Sequence, residues 1–123
     1  MDASEKHHEF CSLLLASLDD VIREVLGERP RKAVFSSLER RFHIKREEIP
    51  ERLEDFQKAL GELFGNGAPV VTRAVARRLC RRVGIPYYER SDYDFKMYVE
   101  DCKRRYEQRP VMTRMAEGSR ERL

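Results

Sequence analysis

The chain has 123 residues, of which 41% are hydrophobic and 38% are charged, with a formal net charge of +3. This length provides one domain with one core, and so small a charge excess does not by itself imply nucleic acid. No apolar run approaches the roughly 18 residues of a membrane span, and the three cysteines include no CxxC pair, so we expect a cytoplasmic protein with reduced thiols and no membrane partner.

The first helix is predicted from Ser4, as N-cap, to Leu26, with Gly27 closing it. Its apolar positions recur at spacings of three and four along one face: Phe10, Leu14, Leu18, Val21, Ile22 and Val25. Leu13 and Leu15 widen this face in the middle of the helix. The width indicates contact on more than one side, with another helix or with a second copy of the chain, and it is the basis for expecting a homodimer.

The second helix is predicted over residues 31–42, after the connection Glu28-Arg29-Pro30. Residues 43–49 then form a linker, in which Ile44 and Ile49 are the apolar anchors. The linker is longer than the three or four residues of a helix-turn-helix turn. The third helix is also acidic on much of its surface, so the pair does not match that DNA-binding motif.

The third and fourth helices meet at the hinge Gly65-Asn66-Gly67. Pro50 is predicted to open the third helix and Pro69 the fourth, because the first helical position needs no N–H. The two helices differ in charge. Residues 46–62 carry six acids and three bases, whereas residues 70–83 carry five arginines and no acid.

The arginines of the fourth helix recur at helical spacing. One row consists of Arg73, Arg77 and Arg81, and a neighbouring row consists of Arg78 and Arg82. Three interpretations stay open: phosphate contacts with nucleic acid, an acidic protein partner, and ion pairs with the acids of the third helix, in this molecule or in a partner. A nucleic-acid surface would extend to the basic residues near the C-terminus: Lys103, Arg104, Arg105 and Arg109.

Residues 85–95 are dense in aromatic and acidic side chains. Tyr87, Tyr88 and Tyr93 are candidate partner-binding residues, because tyrosine provides a large contact area with few rotors. The alternative is an extended lid over the core, with the phenol groups reaching water. Ser91 and Asp94 resemble a capping box, after which the fifth helix is predicted to run to about Glu107.

We assign no catalytic residue. The sequence has no glycine-rich phosphate loop and no nucleophile motif, and the adjacent Asp19 and Asp20 point apart on a helix. On a helix, Cys11 could chelate a metal in a pair with His7 or with His8, but a tetrahedral site needs three or four ligands and no second cluster supplies the others. We therefore expect no enzyme activity, no cofactor and no metal.

Several segments together resemble one known family. They are Val25-Leu26-Gly27, Ala33, Leu38, Ile49-Pro50, Phe56, Ala59-Leu60, Phe64-Gly65-Asn66-Gly67-Ala68, Leu79 to Gly84, and Tyr93-Asp94-Phe95 with Tyr98-Val99. This pattern of helix lengths, glycines and apolar positions, over roughly residues 20–106, is similar to the Nitrosopumilus output domain, an archaeal domain proposed to act downstream in signal transduction. The resemblance implies an all-helical, non-enzymatic module and supplies no catalytic residues.

We predict an all-α single domain at residues 1–108, with about five helices in an orthogonal or irregular bundle, and a flexible basic C-terminal tail at residues 109–123. The predicted core consists of Phe10, Leu14, Leu18, Ile22, Val34, Leu38, Phe56, Leu60, Phe64, Val71, Val75, Leu79, Phe95 and Val99. The preferred function is a protein-interaction or signal-output module that binds a protein partner or a second copy of itself. The alternative is a nucleic-acid-binding protein.

Overall fold

The computed structural model of the protein describes residues 3–108, with side chains from residue 5 onward. This part of the chain contains helices and no strand, so the all-α prediction is confirmed. The helices are α1 (Ala3–Leu26), α2 (Glu28–Phe42), α3 (Leu53–Phe64), α4 (Ala68–Val83) and α5 (Phe95–Gln108), with 3-10 helices at Arg46–Glu51 and Gly65–Gly67. No helix in the described range is both long and apolar enough to cross a membrane. The predicted tail lies outside the described residues.

The long α1 is the central element of the fold. It packs against α2, α4, α5 and the 3-10 helix at Arg46–Glu51. Leu13 and Leu15, which broaden its apolar face, are half-buried against the core. The broad face is therefore occupied by other helices of the same chain. Val25, placed on that face by the sequence, is instead 51% exposed in the last full turn of the helix.

The ends of α1 and α2 differ from the prediction. The first helix begins at Ala3, so Ser4 lies inside it and is not its N-cap. The second helix begins at Glu28, and the connection is Gly27 alone, at φ 102°. Pro30 fits inside the first turn of α2, because the first N–H groups of a helix have no intrahelical partner.

The segment between α2 and α3 is more ordered than a linker. Residues 46–51 form a 3-10 helix that contains Pro50, so α3 begins at Leu53 rather than at Pro50. The backbone N–H of Lys45 donates to a carboxylate oxygen of Glu48 at 3.0 Å, which lowers the pKa of Glu48. Ile44 and Ile49, which the sequence predicted as the apolar anchors of this segment, are both buried.

Glycine and proline shape the later junctions as expected. Gly65 follows α3 at φ 56°, and Pro69 lies in the first turn of α4. Gly84 closes α4 in the left-handed region, at φ 75°. The start of α5 differs: Asp94 alone caps it, accepting a 2.9 Å hydrogen bond from the backbone N–H of Met97, so the capping box with Ser91 is wrong.

The predicted core is buried except at one position. Phe64, the last residue of α3, is only half-buried because the chain turns away from the core at Gly65. Phe56 is fully buried and packs against Phe95, with ring centroids 6.0 Å apart. This pair joins α3 to α5 beneath the surface described next.

Candidate functional site

Residues 85–94, the tyrosine segment, connect α4 to α5. Residues 85–90 form neither helix nor strand. The segment is fixed at its start by a 2.9 Å hydrogen bond from the Ile85 backbone N–H to the Cys80 carbonyl. Further along, the Tyr98 hydroxyl accepts from the Arg90 backbone N–H at 2.6 Å and donates to the Arg90 carbonyl at 3.1 Å. One side chain of α5 therefore holds both backbone groups of one residue in the segment.

The three candidate tyrosines have different environments. Tyr87 and Tyr93 are half-buried and pack on Tyr98, with ring centroids 5.3 Å and 5.1 Å away. Tyr88 is 69% exposed. The Tyr87 hydroxyl is buried without a well-formed hydrogen bond, and this burial raises the pKa of Tyr87 to about 12. The prediction that the phenol groups of a lid reach water is thus wrong for Tyr87.

A groove of about 630 Å³ runs between α3, α4 and the tyrosine segment. Its α3–α4 wall consists of Gln57, Gly61, Gly65, Ala68, Pro69, Thr72 and Arg73. Its opposite wall consists of Glu89, Arg90, Ser91, Tyr93, Asp94, Phe95 and Tyr98. Phe95 is buried and lies at the floor. A methyl group built on Gly61 or Gly65 would meet no atom within 4 Å, so the absence of side chains at these positions widens the groove.

Two arginines at this groove hold their carboxylates loosely. Arg73 lies 3.9 Å from Glu89, and Arg90 lies 3.9 Å from Asp92, both beyond hydrogen-bond distance. Their side chains are 57% and 51% exposed. The guanidinium of Arg90 also lies over the Tyr93 ring, 4.4 Å from its centroid. The N–H groups of both arginines are therefore available to a ligand.

A second set of α4 arginines faces α1. Arg78 bonds Glu24 at 2.6 Å and lies 3.5 Å from Asp20, and Arg82 also bonds Asp20. The bond to Glu24 raises the pKa of Arg78. We call these four residues the charge seam. The interpretation that the arginines pair with acids of α3 is wrong for Arg78 and Arg82, because α1 is the helix packed against them.

The remaining predicted basic residues do not form one continuous surface. Arg77 and Arg81 are exposed, and Arg77 lies over the Tyr87 ring at 5.9 Å. Arg104 and Arg105 of α5 both pair with Asp101. Lys103 lies in a separate depression beside His7 and Glu51. Arg109 lies outside the described residues.

The cysteines and histidines form no metal site in the part of the chain that the structure describes, where no group of three suitable ligands occurs. His7 Nε2 lies 3.6 Å from Cys11 Sγ and 3.3 Å from Glu51 Oε2. All three cysteines are free thiols. Burial raises the pKa of the Cys11 thiol.

Sequence reasoning missed much of the groove. It identified Arg73 and Tyr93, but not Gly61, Arg90 or Tyr98 as site residues. No local signal marks them, because the two walls come from separate stretches of the chain, residues 57–73 and 89–98. No family model, curated protein or solved structure matches the chain. The resemblance to the Nitrosopumilus output domain therefore stays a prediction.

Proposed function

We propose that this chain is a non-enzymatic protein-interaction module and that the groove beside the tyrosine segment binds a peptide segment of its partner. The observation that carries the proposal is the combination of a groove of about 630 Å³, an aromatic floor and wall, and two loosely held arginines. Tyrosine and arginine are the residues that interfaces favour at their energetic centres.

The chemistry of the walls indicates the kind of segment. Tyr93 and Tyr98, which lie above the buried Phe95, offer apolar and aromatic area for one large side chain of the partner. Arg73 and Arg90 offer planar donor groups that suit a carboxylate. A short segment with one large apolar residue and a nearby Asp or Glu fits both features.

Self-association and signal output belong to the same proposal. The broad face of α1, from which a homodimer was expected, is already covered within the chain. A second copy would therefore bind through another surface, such as this groove. The role in archaeal signal output rests on the family resemblance alone.

The test is a peptide-library selection against the full chain, followed by affinity measurement. Arg73→Glu/Arg90→Glu should weaken the selected peptides at least tenfold, or about 1.4 kcal/mol. Gly61→Leu should also weaken them, by filling the groove. Arg77→Glu/Arg81→Glu, with the same charge change outside the groove, is the control. Selected peptides that bind all groove variants like the wild type would refute the proposal.

The alternative function, nucleic-acid binding through α4 with Lys103, Arg104 and Arg105, is supported by one observation. Arg77 and Arg81 face solvent, and neither pairs with a carboxylate within the described range. Against it, Arg78 and Arg82 are bonded to α1. If Arg77→Glu/Arg81→Glu abolishes binding to a DNA duplex while the protein stays folded, the result supports nucleic-acid binding through α4; duplex binding equal to that of the wild type would refute it.

A further inference from the structure

A second basic surface lies on α2, away from the arginines of α4. Arg29, Lys32 and Arg40 are all exposed, and Ser36 lies between them. Their spacings of three and four residues place them on one side of the helix, opposite the buried Val34 and Leu38. We call Arg29, Lys32, Ser36 and Arg40 the basic face of α2.

The cations of this face are not neutralised by the protein. Among the residues that the structure describes, no carboxylate pairs with Arg29, Lys32 or Arg40. Arg31 of the same helix behaves differently, since it points inward and bonds Glu28 at 2.6 Å and Asp19 at 3.3 Å. The inward cation of α2 thus stabilises the fold, and the outward cations are left for a partner.

The side chains between the cations indicate which partner fits. Ala33, Ser36 and Ser37 are small, whereas the large apolar residues of α2, including Phe35 and Phe42, are packed against the core. The outward side therefore has no large apolar group to enter a membrane and no aromatic anchor for a protein interface. Lysine, arginine and serine are instead the side chains that contact phosphate oxygens in nucleic-acid complexes.

We propose that the basic face of α2 binds the phosphate backbone of double-stranded DNA without reading its sequence. The face from Arg29 to Arg40 extends about 17 Å along the helix, at about 1.5 Å per residue. This matches about five nucleotides of one strand, at about 3.4 Å each. The proposal goes beyond peptide binding in the groove, which lies on other elements, and does not depend on it.

One acid limits the attraction. Glu39 is exposed beside the face, three residues after Ser36. Its charge repels a phosphate backbone, so its removal should strengthen binding. This gives a variant whose predicted effect is a gain, which a damaged fold would not produce.

The test is a salt titration of duplex-DNA binding by the full chain. With three phosphate contacts, wild-type affinity should fall about 40-fold between about 50 and 200 mM salt. Arg29→Ala/Lys32→Ala/Arg40→Ala should reduce the slope of log affinity against log salt by about 2.7, which leaves it near zero. Glu39→Gln should bind more tightly than wild type. Circular dichroism should show an unchanged helix content, because alanine favours helix at exposed positions.

A matched control removes three other exposed positive charges with the variant Lys58→Ala/Arg77→Ala/Arg81→Ala. The proposal predicts that this variant keeps most of the wild-type slope. Three results would overturn it: no salt-dependent binding by the wild type, an equal loss in both triple variants, or a loss in the control variant alone. An equal loss would mean that only the net charge matters.

Discussion

The charge seam and the groove both contain arginines of α4, but these arginines have different surroundings. In the seam, the side chains of Arg78 and Arg82 are 22% and 32% exposed and bond carboxylates of α1. At the groove, Arg73 is 57% exposed and its carboxylate lies 3.9 Å away. The difference arises from what packs in front of each row: a whole helix in one case, and a loop pinned by one tyrosine in the other. Arginines of the first kind are held by the fold, and those of the second kind are the ones that we propose for ligand binding.

The largest effect should come from removing the support beneath the groove. Phe56→Ala should lower the free energy of unfolding by about 3–5 kcal/mol, because Phe56 is fully buried against Phe95. Chemical denaturation followed by circular dichroism measures this loss. An unchanged denaturation midpoint would contradict the core assignment.

Replacing one carboxylate by an amide in each region tests the contrast between the charge seam and the groove. Asp20→Asn removes a carboxylate that is 28% exposed and shared by Arg78 and Arg82, so it should cost about 1–2 kcal/mol. Glu89→Gln, at the groove, should change stability by less than about 0.5 kcal/mol. Denaturation of both variants in one buffer tests the difference. Equal costs would remove the distinction between seam and groove.

Removing the Tyr98 hydroxyl, which holds the tyrosine segment, should have a moderate effect. Tyr98→Phe keeps the ring but removes the hydroxyl that bonds both backbone groups of Arg90. We expect a loss of about 0.5–1.5 kcal/mol. Hydrogen exchange should accelerate at the Arg90 amide more than at core amides of α1. Unchanged exchange at Arg90 would show that the segment is held by other contacts.

A smaller effect, of opposite sign, is expected at Gly61. This residue lies inside α3, and an added methyl group meets open space. Gly61→Ala should therefore raise stability by about 0.5–1 kcal/mol, through helix propensity. Thermal unfolding measures the gain. A destabilised variant would mean that the groove wall is tighter than the structure indicates.

The smallest effect at neutral pH is expected for Tyr87→Phe. The folded state raises the pKa of Tyr87 to about 12, above about 10 in the unfolded chain. The protonated phenol is therefore favoured by folding, and this stability is fully present below about pH 10 and is lost as the pH rises toward 12. Wild type should lose stability over this range relative to Tyr87→Phe, as measured by denaturation at each pH. Parallel pH profiles would contradict the assigned environment.

Local pattern predicted the helices because the apolar residues of each one recur at helical spacing. The glycines at 27, 65 and 84 marked helix ends correctly. The predicted starts of α2 and α3 were wrong. Pro30 lies in the first turn of α2 and Pro50 lies in a 3-10 helix, and sequence spacing does not distinguish these positions from the first position of a helix. The core was predicted well except for Phe64, where the chain direction after α3 decided burial.

The site could be predicted only in part. The two arginine rows followed from helical spacing, but their partners depend on which helix packs against each row. Asp20 and Glu24 lie far from α4 in sequence, so spacing alone did not reveal them. Gly61 and Tyr98 line the same groove only because the tyrosine segment lies beside α3 and α4 in the tertiary structure. The cations of α2 were not predicted as a site, because exposed lysines and arginines are common on helices. They stand out only in the structure, where some of the α4 arginines are paired with acids and the outward cations of α2 have no acidic partner among residues 5–108.

The most direct test of the central claim is to locate the bound peptide. A selected peptide would be titrated into the isotope-labelled full chain while amide chemical shifts are recorded by NMR. The groove proposal predicts that the largest shift changes occur at Gly61, Gly65, Thr72 and Ser91. Changes confined to α1 and α2, with these four amides unmoved, would contradict it.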